Sequence, residues 1–177
     1  MRLFVAGLCV LFMAGCSSVT MKEPFPESAL SEKEQSQLTG TWRLDETVMQ
    51  VAFTSNGVPW LAVTEWKDND FVLNKSRLHF TKHNDALYVC MPSEPGDTNE
   101  FFFAEVQTDG NKAFVWIPDA DFFAGLVKNG TLKGAVEKDK HSKSITLDNN
   151  ALEILEFVST NRAAFDYRNP LLFQKLD

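Results

Sequence analysis

The sequence has no apolar run long enough to cross a bilayer. The greasiest stretch, Leu3 to Met13, has 11 residues, where about 20 are needed to span the hydrocarbon core as a helix. An excess of positive charge is missing too: 17 Lys and Arg face 24 Asp and Glu, a net charge of −7. That balance gives no footing for phosphate-backbone binding, so no nucleic-acid partner is expected. The one local basic group, Lys138, Lys140 and Lys143, is interrupted by Glu137 and Asp139 and reads as a solvated turn. Histidine is scarce, with only His79, His83 and His141, and His-Glu-x-x-His, Gly-x-Ser-x-Gly and the phosphate-cradling Gly-Lys-Ser are all absent. His79 and His83 lie about 13 Å apart along an extended strand, too far to share one metal ion. Asp68, Asp70, Asp119 and Asp121 lack calcium-loop spacing and serve as turn and cap residues. No catalytic residue, metal site or cofactor is expected, and the chain reads as a non-enzyme.

What the N-terminus does have is an order of features. Arg2 gives a positive end, Leu3 to Met13 an apolar run, and Ala14 and Gly15 a small-residue processing site. That is the secretory pattern. Met13-Ala14-Gly15-Cys16 resembles the bacterial lipoprotein lipobox, departing from it only by Met for Leu at the first position. The resemblance implies cleavage after residue 15 and acylation of Cys16, with fatty chains such as palmitate, as the first residue of the mature chain. Several acyl chains on one residue matter because one alone binds a membrane only marginally. Ser17 is not Asp, so the resemblance favours anchorage in the outer membrane, with the domain facing the periplasm. Cleavage leaves 162 residues, with 16 basic against 24 acidic side chains and a net charge of −8. One core of this size suffices for a single domain.

Cysteine is then nearly exhausted. Cys9 leaves with the signal peptide and Cys16 carries lipid, so Cys90 has no partner within the chain and no internal disulfide is expected. Lying in Leu87-Tyr88-Val89-Cys90-Met91, it reads as a small buried hydrophobe.

Along the mature chain, residues 16–29 contain Pro24-Phe25-Pro26 and no strong period, and are expected to form a lipidated tether. Residues 30–177 form one β-rich domain. Ser31 and Glu34 have capping-box spacing for a short helix. From Gly40 onward short strands alternate with turns at Asn56-Gly57, residues 67–70, His83-Asn84-Asp85 and Asp109-Gly110. Asp119 caps a second helix and Asn150 a third, whose Leu152, Leu155 and Val158 follow the 3.6-residue period. Leu171 to Leu176 returns as a strand. The missing crossover helices between the first strands exclude a doubly wound sheet. The expected fold is mainly β: an antiparallel small barrel or strongly curved half-barrel with two or three short helices.

Gly40-Thr41-Trp42 resembles the Gly-x-Trp signature of the lipocalins. That resemblance implies a binding cavity, a Trp closing one barrel end, and a final strand after a helix. The Arg of the family's last strand is changed or absent here, with Lys175 near the matching place. The four Trp residues, two Tyr residues and 13 Phe residues left after cleavage supply the area for a pocket or a partner surface. The ligand-binding candidates are Trp42, Trp60, Trp66, Trp116 and Tyr88. Arg43, Glu65, Arg77 and Lys82 are candidate polar selectors. The leading expectation is an envelope lipoprotein that binds an apolar or amphipathic small molecule, such as a lipid. Its alternatives are an envelope assembly protein holding another protein through an aromatic patch, and a hydrolase.

Overall fold

The computed structural model describes residues 17–67, 70–94, 96, 98–139 and 142–176, with the side chains of residues 65–67 outside that description. Residues 1–16, on which the expected signal peptide and the acylation of Cys16 fall, therefore lie outside the described residues. The chain is mainly β. Its elements run β1 (Ser17–Met21), α1 (Glu32–Leu38), β2 (Gly40–Leu44), β3 (Thr47–Phe53), β4 (Pro59–Lys67), β5 (Asp70–Arg77), β6 (His79–His83), β7 (Ala86–Pro92), β8 (Phe101–Asp109) and β9 (Lys112–Trp116). They continue with α2 (Ala120–Lys128), β10 (Gly134–Lys138), β11 (Lys143–Leu147), α3 (Ala151–Thr160), a 3₁₀ turn (Arg162–Ala164) and β12 (Leu171–Lys175).

Local chemistry explains where these elements begin and reverse. Ser31 Oγ accepts from the Glu34 amide and the Glu34 carboxylate accepts from the Ser31 amide, so the capping box opens α1. The Asp119 and Asn150 side chains accept from the amides of Phe122 and Glu153 and open α2 and α3. Between β6 and β7 the chain turns through Asn84 and Asp85, both with positive φ (47° and 64°), the conformation a tight hairpin needs.

All twelve strands belong to one mixed sheet. From β2 to β5 each strand pairs antiparallel with the next, as do β6 to β9, and β12 returns between β9 and β2. β5 and β6 share no ladder. They are successive parts of one segment divided at Leu78, whose amide donates to Pro59 O at 3.1 Å. The hydrogen-bonded sheet is thus not closed, and it curves as a half-barrel. Side chains from β2, β4, β6, β8 and β12 meet in a single inner core of Trp42, Leu61, Phe80, Val106 and Phe173, which a flat sheet could not bring about.

A second core lies on the outside of β7 and β8, where Tyr88, Cys90, Phe101 and Phe103 pack against Phe123 of α2 and Ile154 of α3. β7 and the first half of β8 (Phe101 to Ala104) are covered on both faces, which is why these stretches read as continuous apolar runs.

Two expectations are corrected here. The sheet is not wholly antiparallel, because β1 pairs in parallel with β11, from Ser17 opposite Lys143 to Met21 opposite Leu147. Nor do residues 17–29 form a tether. β1 lies between β11 and β8, and Val19, Met21 and Phe25 are buried. Thr20 is buried as well, its hydroxyl donating to the Glu100 carboxylate. Only five residues long, three of them hydroxylic, β1 is too short to display a period and is recruited by tertiary pairing. Gly134 belongs to the same arrangement: a Cβ there would run into the Thr146 carbonyl oxygen of β11.

Candidate functional site: the inner face of the sheet

The inner face encloses a cleft of about 110 Å³ whose fourteen lining residues are all apolar. They come from eight strands, α1 and the break between β5 and β6 at Leu78: Leu38, Trp42, Met49, Val51, Leu61, Leu78, Phe80, Val89, Met91, Val106, Ala113, Val115, Leu171 and Phe173. Strand alternation accounts for the set, since Met49 and Val51, Val89 and Met91, Ala113 and Val115, and Leu171 and Phe173 are each two apart.

Trp42 is the aromatic candidate that the structure places in this cleft, and it is 3% exposed. Its Nε1 donates to Leu38 O at 2.8 Å, tying the first strand to the end of α1. Lys175 of β12 stands over the indole ring with Nζ 5.4 Å from the centroid, in register with Trp42 on the paired strand. Gly40, two residues earlier, has φ of 139°, a backbone conformation L side chains rarely adopt. The Gly-Thr-Trp segment thus combines a strand start that favours glycine, a buried indole and a Lys from the last strand over its ring.

The other ligand-binding candidates lie elsewhere. Tyr88 is 2% exposed in the outer core, edge-on to Phe25 at 5.9 Å, and burial pushes its phenol up to about 12. Trp116 also faces the outer core, stacked on Phe114 at 6.1 Å and tilted against Tyr167 at 5.5 Å. Tyr167 donates to Glu105 at 2.5 Å. Trp60 is exposed on the outer face of β4, in a shallow groove with Gln50, Ala52, Ala62 and Lys75. Trp66 lies near the end of β4, paired with Phe71 of β5, and its side chain is outside the described residues. Aromatic content does not point to the aliphatic lining residues, because it signals area, whereas period-two alternation signals face.

Three of the four candidate polar selectors, Arg43, Arg77 and Lys82, are absent from the cleft lining. Arg77 pairs with Glu27 at 2.7 Å and Lys82 with Glu34 at 3.3 Å, Arg43 is exposed on β2, and the side chain of Glu65 is outside the described residues. The two β6 histidines are not brought together: His79 Nδ1 approaches Glu27 at 2.7 Å and His83 Nε2 approaches Glu156 at 3.4 Å. Burial lowers the His79 pKa against the opposing pull of Glu27, favouring the neutral imidazole. Among the described residues, no three His, Cys, Asp or Glu side chains converge as a metal site, and no helix is long and apolar enough to cross a membrane.

Cys90 is 1% exposed, and burial pushes its thiol up to about 12. Since the thiolate is the reactive form, the folded chain should leave Cys90 unmodified by iodoacetamide at pH 8 over hours, while the chain in guanidinium chloride should be alkylated there completely. Peptide mass spectrometry reads both, and rapid native labelling would contradict the packing described.

A separate apolar surface occupies the outer face of β3–β5. Val48 (44% exposed), Trp60 (38%), Phe71 (69%) and Leu73 (54%) occupy its alternate positions. No family model, curated protein or solved structure matches the chain.

Proposed function

We propose that this chain is a non-enzymatic lipoprotein of the cell envelope, anchored in the outer membrane through Cys16 and facing the periplasm, that carries an apolar or amphipathic small molecule on the inner face of its sheet. What supports the carrier role is the unbroken apolar lining, to which eight strands and α1 contribute. Burying about 200 Å² of apolar ligand surface at roughly 25 cal/mol per Å² gives about 5 kcal/mol, or sub-millimolar binding before the cost of immobilising the ligand. The Gly-x-Trp resemblance points the same way, and the lipobox resemblance supports the anchor.

Native mass spectrometry tests the carrier role. Residues 17–177 contain both cores and every strand, so the soluble fragment should begin at Ser17. Secreted by its natural route and analysed before and after organic extraction, it should carry a discrete extractable mass. A clean apo mass, unchanged after incubation with envelope lipid extract, would sink the carrier reading.

Ala113→Phe provides a second check. Ala113 is 7% exposed and lines the cleft, so the added ring occupies the ligand's volume. Overpacking should cost about 1–3 kcal/mol of stability, and ligand occupancy should fall at least tenfold in a variant that circular dichroism shows to be folded. Undiminished occupancy would place the ligand elsewhere.

A second reading is supported by the exposed patch of Val48, Trp60, Phe71 and Leu73, which fits an accessory protein that holds another envelope protein. Crosslinking from position 71 in cells distinguishes it: a discrete protein adduct supports this reading, and its absence at every outer-face position of β3–β5 counts against it.

A further inference from the structure

The chain is acidic, with a net charge of −7, yet three lysines converge beside the start of β1. The β10–β11 hairpin sets Lys138 directly opposite Lys143, so both side chains emerge on one face of the sheet. That face is the one covered by α2, because Ile145, two residues after Lys143, packs in the outer core with Phe123. Lys128, the last residue of α2, completes the group. Its side chain comes into hydrogen-bonding contact with Lys138, and this contact first, then the charges of Lys128 and Lys143, holds the Lys138 ammonium below the ordinary lysine range. Lys143 donates to Asp121, while Lys128 and Lys138 are exposed. The acidic residues that interrupt the run in sequence fall aside: Glu137 alternates to the opposite face of β10, and Asp139 lies beyond its end.

The position of this group points to what it meets. β1 runs parallel to β11 with Ser17 directly opposite Lys143, so the chain enters the sheet beside the turn that joins β10 to β11. Cys16 precedes Ser17 by one residue, about 3.8 Å along the chain, and neighbouring strands lie about 4.8 Å apart. Lys143 and Lys138, one and two strands away, therefore stand within roughly one screening length of the anchor point, about 10 Å at 0.1 M salt. We infer that Lys128, Lys138 and Lys143 form a membrane-facing surface that binds the anionic phospholipid headgroups around the anchor and seats the β10–β11 turn on the bilayer. This rests on the lipoprotein reading above. Each cation near an anionic surface strengthens attachment roughly fivefold, so so small a group orients a chain that is already tethered. Headgroup phosphates also relieve the crowding of like charges in the free domain, and the same field turns the acidic remainder of the chain away from the bilayer.

Chemical lipidation of the chain from Cys16 to Asp177, produced without its signal segment, tests this surface apart from what the cell does to Cys16. Cys90 is 1% exposed, so a maleimide carrying a single myristyl chain couples at Cys16. One such chain gives only marginal, reversible binding, and headgroup attraction then shows directly in the partition between water and vesicles. Flotation compares vesicles of phosphatidylcholine alone with vesicles holding an equal amount of phosphatidylglycerol. The parent should favour the anionic vesicles about tenfold at about 0.1 M salt and lose that preference at about 1 M. Lys128→Gln combined with Lys138→Gln should abolish it, at about fivefold per charge. Lys75→Gln combined with Lys112→Gln, the same charge change on β5 and β9, should retain it. No preference in the parent, or a preference that the two double variants keep or lose alike, would overturn the inference and leave the anchor reading standing. The anchor is read separately, from the mass of the mature protein extracted from membranes: acyl chains on Cys16 are expected, and an unmodified Cys16 would overturn the anchor and the inference with it.

Discussion

A chain from which Ser17–Met21 has been deleted should lose its cooperative unfolding transition. β1 joins two parts of the molecule, pairing with β11 along five residues and with β8 at Thr20 and Met21. Without it, the β10–β11 hairpin has no ladder to the rest of the sheet among the described residues, where β11 pairs with β10 and β1 alone. Burial of Val19 and Met21, at 3% and 0% exposure, contributes roughly 1.5–3 kcal/mol each. The deletion also strips the ladder partners from β11 and leaves the Glu100 carboxylate without Thr20. Against a typical total stability of about 5–15 kcal/mol, that loss removes most or all of the margin. Urea titration followed by circular dichroism and Trp fluorescence should show a broad, non-coincident change for the deletion and one shared transition for the chain from Ser17. If residues 17–21 were only a tether, the two titrations would superimpose.

Phe103→Ala should destabilise the domain by about 3–5 kcal/mol, the range for emptying a buried aromatic site. The ring is 1% exposed and sits among Phe25 at 5.5 Å, Phe123 at 5.9 Å and Phe165 at 6.2 Å. These partners come from the segment after β1, from α2, and from the residue after the 3₁₀ turn, so one truncation loosens three attachments to the outer face of β8. Edge-to-face and tilted contacts of this kind add to plain area burial. Phe71→Ala serves as the internal comparison, since Phe71 is 69% exposed and its loss should shift stability by under about 0.5 kcal/mol. Equal urea midpoints for the two variants would refute the two-core description.

Much of this architecture is legible in the sequence for local reasons. A hydroxyl, carboxylate or amide three residues before an amide it can accept from announces a helix start, and Ser31, Asp119 and Asn150 all do so. Asn84-Asp85 and Asp109-Gly110 announce reversals because few residues tolerate positive φ. Trp42 could be singled out because Gly40 and a last-strand Lys175 frame it. The remainder depends on partners distant in sequence. β1 has no propensity signal and exists because β11 lies more than 120 residues away in the chain. Tyr88 and Trp116 were expected at a ligand site by residue type, yet the face each occupies is set by strand register. In β7 and the first half of β8, covered on both sides, the alternation that would reveal register is erased. Ser76 of β5 hides its burial for the opposite reason: in a run of Asn, Lys, Ser and Arg it reads as solvated, yet it is 2% exposed, opposite Leu61 of β4.

If Cys16 is acylated as proposed, the early start of β1 would also set the working height of the domain. Thirteen loose residues would act as a leash, reaching up to about 45 Å when drawn straight and letting the protein swing through the space above the bilayer. With acyl chains on Cys16, as proposed, that leash has no length, because the next residue, Ser17, is already clamped opposite Lys143. The domain would then move as a fixture of the membrane, diffusing in two dimensions with little freedom to tilt. Cargo would have to change hands at the lipid surface, with a donor or acceptor that comes to it.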